Sequence, residues 1–118
     1  MLRCLIVDDS PRFLIAARGL LEREGVSVVG TALTATQAAQ LVEQTHPDVV
    51  LVDIDLGGES GFEVVRRLQH GDKLSLPAIL ISTHAEQDYA DLIDDSPALG
   101  FMAKTELSAH AIEALLHR

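Results

Sequence analysis

The chain has 118 residues, 47% hydrophobic and 23% charged, with a formal charge of −9 at pH 7. That length suits one domain, spanning 1–118, with a real core. Nine Lys and Arg against eighteen acids argue against direct nucleic-acid binding, which depends on cations neutralising phosphates. No apolar run approaches the roughly 20 residues of a membrane-spanning helix, and Met1-Leu2-Arg3-Cys4 has no signal-peptide layout, so a cytoplasmic location without a membrane partner is expected. The lone Cys4 allows no internal disulfide and reads as a small buried hydrophobe.

In chain order, Leu5-Ile6-Val7 is the first apolar run. Ser10 as cap and Pro11 in the first helical position then predict a helix with a stripe of Phe13, Leu14, Ala17, Leu20 and Leu21, stopped by Gly25. Val26 to Val29 follows as a second strand. Thr34 with Gln37 forms a capping-box pattern before Ala38, Leu41 and Val42, and Pro47 separates that helix from Val49-Val50-Leu51-Val52. A third helix is predicted over Gly61 to Gln69, burying Val64, Val65 and Leu68. Ala78-Ile79-Leu80-Ile81 is the fourth run. The fourth helix, Asp88 to Asp94, has few apolar anchors (Tyr89, Leu92, Ile93) among mutually repelling acids and ends before Pro97, so it is predicted to be the least stable element. Phe101-Met102-Ala103 and a helix after Ser108, with Ala111, Ile112, Leu115 and Leu116 as its apolar face, complete the chain. That helix is expected to end at Arg118, leaving open whether the domain stands alone or has lost an output domain.

The first, third and fourth runs are apolar without alternation, as in strands buried on both faces of a parallel sheet. Five strands alternating with five helices therefore predict an α/β fold, a flavodoxin-like, doubly wound (βα)5 chain with strand order 2-1-3-4-5. Ligands of such sheets bind beyond the carboxyl ends of the strands. What stands there is Asp8 and Asp9 after the first strand, Asp53 after the third, Ser82 and Thr83 after the fourth, and Lys104 after the fifth. Three crowded carboxylates repel one another unless a cation lies between them, and hard oxygen donors on rigid strand ends suit Mg2+. A carboxylate, a divalent cation, an ammonium and a hydroxyl together can cradle a phosphoryl group, and a carboxylate can itself accept one.

Over its whole length the chain resembles the receiver domain of bacterial two-component response regulators, through Asp8-Asp9, Asp53, Ser82 and Lys104 in order and spacing, and through Gly61 eight residues beyond Asp53. The resemblance implies that Asp53 accepts a phosphoryl group from the phosphohistidine of a sensor histidine kinase. It further implies that Asp9 binds Mg2+ directly, Asp8 through water and Asp55 through its backbone carbonyl. Ser82 and Lys104 would hold phosphoryl oxygens. Phe101 falls at the family's switch aromatic, which turns inward as the hydroxyl of Ser82 moves, shifting the fourth helix and fifth strand. The domain would not be an enzyme beyond catalysing its own phosphorylation.

The chain departs from the family pattern at a few positions. Thr105 stands where many members have proline, so the Lys104–Thr105 bond is predicted trans; a cis bond there would cost roughly 3–4 kcal/mol. The loop Ile54-Asp55-Leu56-Gly57-Gly58 lacks the frequent Met-Pro and is expected to be more mobile. Asp55 and His84 occupy positions that tune phosphoryl lifetime in the family, although His84 reads better as an exposed loop residue. Leu107-Ser108 after Lys104-Thr105-Glu106 resembles receivers joined to a LuxR/NarL-type DNA-binding domain, implying a role in transcription regulation. No Lys or Arg lies between Thr105 and His117, which disfavours a dimer pairing an acidic fourth helix with a basic fifth and leaves a homodimer through helices 1 and 5. The alternative is an enzyme, because Asp53-Ile54-Asp55 also looks like the Asp-x-Asp motif of haloacid-dehalogenase-type phosphatases.

Overall fold

The computed structural model describes residues 1–69 and 76–117; Arg118 lies outside them. Five strands, β1 (Arg3–Val7), β2 (Ser27–Ala32), β3 (Val49–Asp53), β4 (Ala78–Ser82) and β5 (Gly100–Ala103), form one parallel sheet in the order β2-β1-β3-β4-β5. Every residue of β3 and β4 is buried, because helices cover the sheet on two sides.

Alternation along β1 sorts the core into two layers. Leu5 and Val7 face a cluster with Ala38, Val64, Val65 and Leu68, from α2 (Ala35–Thr45) and α3 (Gly61–Gln69). Cys4 and Ile6 face Leu14, Ala17, Leu21 and Ile112, from α1 (Pro11–Arg23) and α5 (Ala109–Leu116). Burial pushes the Cys4 thiol up to about 12, so it packs as a hydrophobe rather than acting as a nucleophile.

The helix starts follow local chemistry. The hydroxyls of Ser10, Thr34 and Ser108 accept from the N–H groups of Phe13, Gln37 and Ala111, and Gly25 follows α1 with φ +89°. The capping box differs in one arm: Gln37 Oε1 accepts from the N–H of Leu33 at 2.8 Å rather than from that of Thr34. α2 ends on His46, which takes a left-handed conformation with φ 48° just before Pro47. β2 runs on past Val29 to Ala32 through Gly30, where a Cβ would lie 3.3 Å from the side chains of Leu41 and Leu5.

The fourth helix is the poorest element. A 3-10 turn over Glu86–Tyr89 leads into α4 (Ala90–Asp94), and none of its residues is buried. Tyr89 and Ile93 only lean on the core, and Leu92 is 52% exposed. No peptide bond among the described residues is cis, so Lys104–Thr105 is trans.

Candidate functional site

Register brings the site together. Val7 pairs with Val52, and Asp53 pairs with Ile81, so Asp8 and Ser82, each one step further along its strand, flank Asp53. Ser82 also pairs with Ala103, which puts Lys104 at the same edge.

Oxygens of Asp8, Asp9 and Asp53 all lie within 4.8 Å of one another. Asp8 is fully buried, Asp53 is 5% exposed and Asp9 is open to solvent. Asp8 Oδ1 accepts from the Ser10 N–H at 2.9 Å, and Asp53 Oδ1 accepts from the Asp55 N–H at 3.3 Å. Lys104 Nζ bridges the other two oxygens, at 2.6 Å from Asp8 Oδ2 and 3.4 Å from Asp53 Oδ2. The shorter contact is an ion pair without hydrogen-bond alignment, so Asp8 Oδ2 has no aligned donor although no water reaches it.

Among the described residues, one ammonium is set against three carboxylates, and they leave the pocket short of positive charge. Burial pushes the Asp53 carboxyl up to about 6; repulsion from Asp8 adds to the rise, and Lys104 with the Asp55 N–H opposes it. An undersaturated buried oxygen among hard donors at this spacing fits a divalent cation retaining several waters. Asp55 is itself exposed and touches Asp53 through its backbone.

Ser82 is buried, and its Oγ accepts from the His84 N–H at 3.0 Å, which leaves its own proton free to donate. His84 is exposed, with Nδ1 3.4 Å from the Tyr89 hydroxyl. Phe101 is half-buried and packs against the layer that includes α2 and α3.

Sequence reasoning missed three contributors. Lys104 Nζ lies 4.4 Å from the centre of the Phe13 ring, a cation–π contact that steadies the ammonium; Phe13 had signalled only an apolar stripe. Tyr89 stands edge-on to His84 with ring centres 6.0 Å apart. The expected mobile loop is a short antiparallel hairpin pairing Asp55 with Ser60 and Leu56 with Glu59, and Glu59 had no signal of its own.

Gly61 is required sterically, because a Cβ there would lie 2.1 Å from the carbonyl oxygen of Asp53. Any larger residue at the start of α3 would push the Asp53 backbone out of place.

A family model describing the response regulator receiver domain matches residues 4–116. The chain is 30% identical over 116 residues to the DNA-binding transcriptional activator EvgA of Escherichia coli, covering 97% of this chain and 55% of EvgA. It is 35% identical over 88 residues to protein PilH of Pseudomonas aeruginosa, covering 74% of this chain and 72% of PilH. A solved two-component response regulator of the LuxR family from an Aurantimonas species superposes with a TM-score of 0.86 at 32% identity, over 98% of this chain and 86% of that one. The chain spans about half the length of the transcriptional-regulator relatives it matches.

Proposed function

The chain belongs to the response regulator receiver domain family, and from that premise we propose that Asp53 is its phosphoryl acceptor and that Asp8, Asp9 and Asp53 hold Mg2+. The observation that carries this reading is the charge deficit in the pocket: three converging carboxylates with Lys104 as their one close cation among the described residues. The Asp55 backbone carbonyl is assigned as a further cation ligand.

With a carboxyl near 6, Asp53 is mostly ionised at pH 7 and able to attack. Its oxygen forms a bond to phosphorus as the phosphorus–nitrogen bond of a donor phosphohistidine breaks, the electron pair leaving with the imidazole. A small acyl phosphate serves equally, releasing its carboxylate. Mg2+, when bound, supplies charge neutralisation for the incoming phosphoryl oxygens. Lys104, steadied over Phe13 and 3.4 Å from Asp53 Oδ2, is within reach of a group built on that oxygen. The free proton of Ser82 would donate to a phosphoryl oxygen. That movement would draw in the loop after β4 and shift Phe101, with α4 as the weakly held element that responds. Reaction stops at one covalent phosphate, so the domain is a switch rather than a turnover enzyme.

Incubation with acetyl phosphate and Mg2+ should add one phosphoryl group per chain by intact mass, and chelation of the metal with EDTA should suppress the labelling. Labelling that persists undiminished in EDTA would contradict the assigned cation site, and continuous release of phosphate from generic esters would contradict the switch.

The partners that fit this reading are a sensor histidine kinase and, as in the DNA-binding relative, an output domain. A cytoplasmic location fits them; no helix among the described residues is long and apolar enough to cross a membrane. A second copy is proposed to dock through α1 and α5, where Ile15 is 75% exposed on α1. Sedimentation should show labelled protein dimerising and Ile15→Asp remaining monomeric; a labelled wild type that stays monomeric at high concentration would exclude this contact.

A further inference from the structure

α2 begins with no acidic residue in its first turn, although the positive end of a helix favours an anion. Thr34 Oγ1 takes the Gln37 N–H. The Ala35 N–H turns elsewhere, donating at 3.0 Å to Glu59 Oε1, 24 residues away in sequence. Glu59 thus supplies from a distance the anion that the helix lacks locally.

Glu59 stands on the hairpin beside the cation site. It pairs with Leu56, and the next pair joins Ser60 to Asp55, whose N–H donates to Asp53. At the turn Gly57 adopts φ +67°, with Asp9 Oδ2 3.2 Å from where its Cβ would stand. The loop has adjacent glycines at 57 and 58 and no proline, so its own chain resists ordering. Leu56 anchors it in the core, and Glu59 ties its other arm to α2.

We propose that Glu59 is a positioning residue, a clamp that fixes the 54–60 hairpin to the N-terminus of α2 and so holds the wall of the cation site formed by Asp9, Asp53 and Asp55. The clamp rests on reading Asp8, Asp9 and Asp53 as that site. It couples α2 to the phosphoacceptor pocket, because loosening the helix start releases the hairpin.

The test compares Glu59→Ala, which removes the acceptor, with Glu59→Gln, which keeps an acceptor oxygen and drops the charge. Mg2+ affinity is read by direct titration of amide NMR shifts, and hydrogen exchange of the Ala35 amide is read without metal. Glu59→Ala should bind Mg2+ about fivefold more weakly and expose the Ala35 amide to faster exchange, an effect sized from a single helix cap. Its labelling rate at saturating Mg2+ should match wild type, so the loss is one of affinity alone. Glu59→Gln should recover both readouts to within about twofold.

Unchanged Mg2+ affinity in Glu59→Ala would overturn the clamp. So would an equal loss in the two variants, which would make Glu59 a charge rather than a tether. A wild type that binds no Mg2+ would instead overturn the site reading. Ala35 exchange reports the tether without metal, so the two failures are distinguishable.

Discussion

Asp53→Asn is expected to abolish labelling by acetyl phosphate and to make the metal-free protein more stable at neutral pH by about 2 kcal/mol. The acceptor carboxylate is held in an unfavourable place: burial, then the charge of Asp8, raises its pKa from 3.8 to about 6. A carboxyl that binds its proton more tightly when folded contributes stability that is complete below its unfolded pKa. That contribution is lost as pH rises through the folded value of about 6. The wild type therefore carries an ionised, poorly solvated Asp53 at pH 7, and the amide removes it. In EDTA the melting temperature of the variant should exceed that of wild type by about 5–10 °C at pH 7. The gap should narrow as pH falls through about 6 towards 4. Adding Mg2+ should also narrow it, because the cation stabilises only the chain with the intact carboxylate cluster. Parallel melting curves across this pH range would show that Asp53 is not strained, and would remove the physical reason for placing a cation beside it.

The second large effect is expected at Gly61. In Gly61→Ala the new methyl would meet the carbonyl oxygen of Asp53 at 2.1 Å, the Ile54 Cα at 2.7 Å and the Asp53 carbonyl carbon at 2.8 Å. All three are backbone atoms and cannot rotate aside. The Gly61 N–H is also committed, donating to the Ile54 carbonyl at 2.7 Å. A loss of about 3–5 kcal/mol is expected from urea unfolding, well beyond ordinary overpacking. Helix propensity alone predicts the opposite sign, since Ala is favoured over Gly inside a helix by about 1 kcal/mol. Gly58→Ala is the control: nothing lies within 4 Å of its added methyl, and its stability should stay within about 0.5 kcal/mol of wild type. Equal stability of the two variants would contradict the close approach of α3 to the end of β3.

The parts legible in the sequence were those encoded locally or by burial on two faces. The apolar runs of β3 and β4 announced central strands because helices cover them on either side. Ser10, Thr34 and Ser108 announced helix starts because each cap bond spans three residues. The strand order then followed from handedness, and with it the meeting of Asp8, Asp9, Asp53 and Lys104 at one edge. What stayed hidden depends on tertiary distance. Nothing around Glu59 signals that the donor to its carboxylate is the Ala35 N–H, and nothing around Phe13 signals an ammonium over its ring. The tighter hold of Lys104 on Asp8 than on Asp53 turns on under an ångström of difference that no spacing rule encodes. The glycines of the loop at 54–58 do not announce the ladder that pairs Asp55 with Ser60 and Leu56 with Glu59, nor the distant N–H that the Glu59 carboxylate accepts.

Asp53, rather than its neighbours in sequence or space, is proposed to carry the phosphoryl group. Borohydride reduction of the acetyl-phosphate-treated protein converts an aspartyl phosphate to homoserine, and tandem mass spectrometry of the digest then locates it. One converted residue is expected, at position 53, and only when Mg2+ is supplied. Conversion at Asp48 or Asp55, or at several acids at once, would contradict it.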